Sequence, residues 1–148
     1  MTTLSRRSFL KISTLASASG LLPRRVLGAN SDIRLGFIGI GGRGGMLCRQ
    51  FMAIPGVRPV ALSDADSATL DRVANQIEKS NPELKVGRHQ DFRQLLDRKD
   101  VDAVVIASPN HWHALMTIMA CEAGKDVYVE KPVCHNIFEG RRMVEAAR

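Results

Sequence analysis

The chain has 148 residues, 45% apolar and 24% charged, a composition suited to one globular domain with a real core and too short for two. Its net charge of +6 raises nucleic acid as a partner, but residues 1–29 hold Arg6, Arg7, Lys11, Arg24 and Arg25 with no acid. The remaining 16 basic and 15 acidic residues are scattered over a nearly neutral body, which excludes a basic binding face and with it a nucleic-acid partner.

The leader comes first. Ser5-Arg6-Arg7-Ser8-Phe9-Leu10-Lys11 resembles the twin-arginine export signal, and Ile12 to Leu22 follow as a mildly apolar stretch rich in Ser, Ala and Gly. Its 11 residues are about half of the roughly 20 that span a bilayer, so no stable membrane span is expected. Pro23-Arg24-Arg25 and then Val26-Leu27-Gly28-Ala29 close the segment, with cleavage after Gly28 or after Ala29 both open. The competing reading is an amphipathic N-terminal helix. Residues 1–29 are therefore taken as a signal peptide and 30–148 as the folded domain, exported to the periplasm or beyond with the twin-arginine machinery as its partner.

The body then alternates strand and helix. Ile33 to Ile38 reads as a strand that ends in Gly39-Ile40-Gly41-Gly42-Arg43-Gly44, a G-x-G-x-x-G pattern. Gly39 would permit the tight turn, Gly41 would admit a pyrophosphate against the backbone, and Gly44 would let the next helix pack on the strand. That helix, Arg43 to Ile54, would present free N–H groups and its positive end to phosphates, and Pro55-Gly56 stops it. A strand at Val57 to Leu62 leads to a helix at Ser67 to Lys79, with Asp66 as N-cap and Asn81-Pro82 as its end. A short strand is expected at Leu84 to Val86, and a short helix over Asp91 to Leu96 with Asp91 or Gln90 near its start. Val101 to Ala107 is the clearest strand, β-branched and fit for burial on both faces. A helix through Ala123 follows, with Asn110 as cap and Gly124 as stop, then a strand at Asp126 to Val129 and a helix from Ile137 to Arg148. Successive βα units of this kind predict an α/β fold, a doubly wound parallel sheet. No strand follows the last helix, and the expectation is a truncated chain.

Three sites could carry chemistry. Asp64 ends the second strand, 20 residues after Gly44, where a carboxylate bonds the adenosine ribose hydroxyls and repels a 2′-phosphate, favouring NAD over NADP. The alternative is an ordinary turn aspartate. Ser108-Pro109-Asn110-His111-Trp112-His113 lies at the carboxyl end of the fourth strand, where ligands of open α/β sheets bind. Its histidines at i and i+2 point to different sides of a helix and do not suit one metal; Trp112 could be core and His111 solvated. Glu130-Lys131-Pro132 follows the fifth strand, where Lys131 could move a proton or donate to a substrate oxygen and Glu130 could steady it or reach a ribose. A surface Glu–Lys pair is the plain alternative. Cys48, Cys121 and Cys134 have no metal-ligand spacing; no metal is expected, and Cys48 and Cys121 read as core.

Taken together, Gly39 to Gly44, the S-P-N-H-W-H turn and Glu130-Lys131-Pro132 resemble the glucose–fructose oxidoreductase and inositol dehydrogenase family (Gfo/Idh/MocA), as does Asp91 to Ala107, DFRQLLDRKDVDAVVIA. The likeness covers about residues 33–148. It implies a Rossmann-like domain that binds NAD, in preference to NADP, through Gly39, Gly41, Gly42, Arg43, Gly44 and Asp64, with Ser108, Pro109, Asn110, His111, Trp112, His113, Glu130 and Lys131 lining the nicotinamide side. Lys131 matches the family lysine at the substrate hydroxyl and is the catalytic candidate. The family's C-terminal substrate domain, an antiparallel sheet, is absent from this sequence. The implied function is the cofactor domain of an exported oxidoreductase acting on CH–OH groups of a sugar or polyol, with self-association left open. The alternatives are an NAD-dependent glycosidase of the related type, in which the resemblance puts an apolar residue at the lysine position, and an inactive nucleotide-binding fragment.

Overall fold

The computed structural model describes residues 32–148, so the export-signal reading of residues 1–29 and the domain boundary at 30 lie outside the described residues. Strands β1 (Ile33–Ile38), β2 (Val57–Ser63), β3 (Gly87–His89), β4 (Ala103–Ile106) and β5 (Asp126–Val129) alternate with helices α1 (Arg43–Met52), α2 (Ser67–Ser80), α3 (Phe92–Leu96), α4 (Asn110–Glu122) and α5 (Ile137–Ala146). All strand pairs are parallel, and their order is β3-β2-β1-β4-β5. The direction of winding reverses between β1 and β4. In open α/β sheets that switch point leaves a crevice beyond the carboxyl ends of the strands.

Alternation along the central strands explains the two layers of helices. Leu35 and Phe37 of β1 and Val105 of β4 face one side and pack with Leu47 of α1 and Leu70, Val73 and Ile77 of α2. Ile38, Val104 and Ile106 face the other side, with Leu95 of α3 and Met116 and Ala120 of α4. A period of two on each strand thus supplies both cores, as expected for a doubly wound sheet. Cys48 belongs to the first core, and burial pushes its thiol up to about 12. Cys121 is only half-buried, so its reading as core is corrected; it sits on α4 outside both apolar clusters.

Three sequence expectations shift. The third strand lies at Gly87–His89 rather than Leu84 to Val86: Val86 is buried in the first core, and Gly87, Arg88 and His89 pair with Ala61, Leu62 and Ser63. The fourth begins at Ala103, because Asp102 turns its side chain back onto β1. That carboxylate accepts from Arg34 N at 2.8 Å, Nε at 3.0 Å and a terminal guanidinium nitrogen at 2.6 Å. The N-cap of α4 is Pro109 and not Asn110, and no side chain caps that helix. Asp66 does cap α2, accepting from Ala68 N at 3.1 Å and Thr69 Oγ1 at 2.7 Å.

The acid limb of stability follows from these bonds. Asp66, Asp91, Asp100 and Asp102 are all held below the usual carboxylate range, first by side-chain hydrogen bonds from Thr69, Arg93, Arg98 and Arg34 respectively. A depressed folded value contributes stability that is complete above the unfolded value, near 4, and is lost as pH falls through the folded one. The contribution of these carboxylates to the denaturant midpoint should therefore be level from about pH 7 to 5 and fall below about pH 4. Arg34→Met should make that fall shallower, measured by urea unfolding at each pH.

Candidate active site

Hydrogen bonds that continue past the strand ends set the loops of the crevice. Gly39 N donates to Ser63 O at 2.8 Å, Ala107 N to Ile38 O at 2.9 Å, and Glu130 N to Ile106 O at 2.9 Å. The glycine turn, the turn at Ser108 and the turn at Lys131 therefore leave the sheet side by side, in fixed register.

The glycine turn is shaped by near contacts. Gly39 has φ +78°, and a Cβ there would stand 2.6 Å from Ser108 N. A Cβ on Gly44 would overlap the carbonyl oxygen of Gly39. Gly41 and Gly42 are the opposite case, with no atom within 4 Å of an added Cβ. They leave open space beside the first turn of α1, whose leading N–H groups have no intrahelical partner. Gly42 is the N-cap of α1 and offers no side-chain bond. An anionic group fits that donor set.

Asp64 is bound into this turn. Its Oδ2 accepts from Ile40 N at 2.9 Å and its Oδ1 from Asp66 N at 3.0 Å. A carboxylate has about four lone-pair positions, so acceptor capacity remains for hydroxyl groups. The carboxylate lines a cavity of about 720 Å³ with Gly39, Ser108, Pro109, Trp112, Phe92 and Arg93. Trp112 is exposed on that wall and is not core. Phe92, Arg93, Gln90 and Met116 also line it and were not singled out from the sequence. The signal available was position alone, since residues 90–93 follow the carboxyl end of β3.

A second cavity of about 520 Å³ is lined by Arg43, Ser108, Asn110, His113, Glu130 and Lys131. Glu130 is buried, and its Oε1 accepts from Arg43 Nε at 2.9 Å, which holds its carboxyl below the usual range. In place of the alternative surface Glu–Lys pair, this Glu–Arg pair joins β5 to the start of α1. Lys131 is exposed, and its backbone N–H donates to Glu130 Oε2 at 3.3 Å. His113 is 2% exposed, with Nδ1 2.8 Å from Pro132 O and Nε2 2.7 Å from Ser108 O. Both ring nitrogens thus face backbone, and the ring spans the turns at Ser108 and Lys131. His111 is exposed beside Trp112 and lines neither cavity. Ser108 lines both cavities. No cluster of three or more metal-ligating side chains exists among the described residues.

Residues 33–148 match the model of an oxidoreductase family with an NAD-binding Rossmann fold, GFO_IDH_MocA. The chain belongs to that family. This Gfo/Idh/MocA chain is 33% identical to a glycosyl hydrolase family 109 protein of Shewanella sp. (strain ANA-3), over 99% of the chain and 38% of that relative. It therefore spans well under half the length of the curated relatives it matches. Among solved structures, myo-inositol 2-dehydrogenase from Lactobacillus plantarum is similar with a TM-score of 0.70 and 29% identity, over 78% of this chain and 33% of that one. A levoglucosan dehydrogenase complexed with NADH and L-sorbose gives a TM-score of 0.69 and 28% identity, over 79% of this chain and 32% of that one. The shared region is the Rossmann domain, in agreement with the parallel sheet expected from the sequence. Among the described residues no helix is long and apolar enough to cross a membrane.

Proposed function

We propose that the chain is the NAD-binding domain of an exported oxidoreductase acting on CH–OH groups of a sugar or polyol. The observation that carries the reading is the pair of cavities meeting at Ser108, one walled by Gly39 and Asp64 and the other by Arg43, Glu130 and Lys131. Two compartments that share Ser108 suit the two nucleotide halves, and the open backbone at Gly41 and Gly42 would take the pyrophosphate. When bound, the nicotinamide supplies hydride transfer. Asp64 would hold the adenosine ribose and disfavour a 2′-phosphate, and Lys131 would hold or move the proton of the substrate hydroxyl. The relatives named as myo-inositol and levoglucosan dehydrogenases support the sugar or polyol class.

Export rests on Ser5-Arg6-Arg7-Ser8-Phe9-Leu10-Lys11. It carries a consequence for the cofactor, which would be loaded before translocation, retained afterward, and recycled by a second substrate. Titration of the purified chain with NADH and NADPH tests the core of the proposal. NADH should bind, and NADPH should bind about 10-fold more weakly, a difference near 1.4 kcal/mol. Binding of neither overturns the dinucleotide reading, and a preference for NADPH overturns the role given to Asp64.

Glycoside cleavage is the second reading, favoured by the glycosyl hydrolase family 109 names among the relatives. Lys131 weighs against it, because the resemblance puts an apolar residue at that position in such enzymes. Release of sugar from a glycoside by the full-length protein, with no net NADH formed, would reverse the preference.

A further inference from the structure

We propose that His113 is a positioning residue whose buried ring carries hydrogen on both nitrogens and clasps the turn at Ser108 to the turn at Lys131. The observation is a count of donors. Two backbone carbonyl oxygens, of Ser108 and Pro132, stand 2.7 and 2.8 Å from the two ring nitrogens. A carbonyl oxygen can only accept, so each contact needs an N–H on the ring, and a neutral imidazole has one. With one hydrogen, a bare ring nitrogen would face a carbonyl lone pair at hydrogen-bond distance, and burial leaves no room for water to come between. With two, both oxygens are satisfied.

Arg43, Glu130 and Lys131 are the charged side chains that share its cavity, and the one anion among them, Glu130, is paired with Arg43, so the two ring hydrogens are held by the two carbonyl oxygens rather than by a counter-charge. The contact with Pro132 fixes the backbone immediately after Lys131, while Glu130 immediately before it is tied to Arg43. Lys131 is thus braced from both flanks, and its exposed side chain is aimed by a backbone that has little freedom. The same ring holds the backbone of Ser108, the residue common to both cavities. What Lys131 faces rests on the function proposed above; the clasp does not.

The test has two parts. Nitrogen-15 spectra of the imidazole groups should show, for one of the four histidines, two ring N–H signals protected from solvent exchange, and His113→Gln should remove them. A bare ring nitrogen in His113 overturns the proposal. Titrations with ADP-ribose and NADH then separate positioning from general damage. His113→Ala should weaken NADH about 10-fold while leaving ADP-ribose within about twofold, and His113→Gln, which keeps one donor, should recover part of the loss. If both ligands weaken equally, or neither does, the positioning role is overturned. Failure of the unaltered chain to bind either ligand counts against the proposed function, and the imidazole spectrum still decides the clasp.

Discussion

Gly41→Ala is expected to leave the fold untouched and abolish most dinucleotide affinity, whereas Gly44→Ala should damage the fold itself. The two positions lie three residues apart in one turn and differ in what surrounds them. An added methyl at Gly41 meets nothing within 4 Å, and its φ is not positive, so alanine adopts the native backbone without strain. Stability should stay within about 0.5 kcal/mol of the parent. The methyl would instead occupy the space where a pyrophosphate approaches the backbone, and NADH should bind at least about 10-fold more weakly. At Gly44 the methyl overlaps the Gly39 carbonyl oxygen and stands 3.3 Å from Ala107 Cβ. The obstacle is backbone and cannot swing aside, so a loss of about 3 kcal/mol, roughly 10 °C in melting temperature, is expected. Thermal melts and NADH titrations of both variants check the contrast. An unaltered melt for Gly44→Ala would contradict the packing, and unaltered NADH binding by Gly41→Ala would contradict the placement of the phosphates.

Asp64 should show a double effect. Its Oδ2 satisfies the N–H of Ile40, a residue with no exposed surface, so Asp64→Ala leaves that amide without a partner. An orphaned buried donor costs about 1–3 kcal/mol, readable as a lower urea midpoint. Asp64→Asn keeps an acceptor and removes the charge, which separates stability from specificity. It should weaken NADH about 10-fold and bring NADPH close to it, since repulsion of a 2′-phosphate is lost. An unchanged ratio of the two affinities in Asp64→Asn would mean that another group reads the ribose.

Much of this molecule could be read from local pattern, because the strands that build the crevice are the most apolar ones. Ile33 to Ile38 and Asp126 to Val129 lie where periodicity put them, and Asp66 caps α2 as a residue of its type should. The shifted bounds of β3 and β4 share one cause, a partner distant in sequence. Gly87-Arg88-His89 has no strand-like composition, and only pairing with Ala61 to Ser63 of β2 makes it extended. Pro59 is tolerated in β2 because it lies outside that paired stretch, opposite Leu35 and next to a register shift. The site behaves likewise. The glycine turn and Asp64 fall where a motif with a physical basis put them, within one βαβ unit. His113 lies in the first turn of α4, but its acceptor Pro132 is 19 positions away, and no local pattern shows that both ring nitrogens are engaged. Phe92 and Arg93 enter the first cavity only because β3 brings α3 beside β2.

The Arg43–Glu130 pair gives anion entry an unusual character. The guanidinium beside the open backbone of the glycine turn is already neutralised, at 2.9 Å, by a carboxylate that is largely buried. Under the proposed function, a phosphate arriving there would share the guanidinium with a resident carboxylate, which holds its Nε–H and leaves terminal N–H groups to donate. The neighbouring negative charge lowers the electrostatic gain, so a small inorganic anion should gain little and a ligand anchored elsewhere in the crevice should still bind. Discrimination against simple anions would then rest on an arginine already paired, not on the size of the opening.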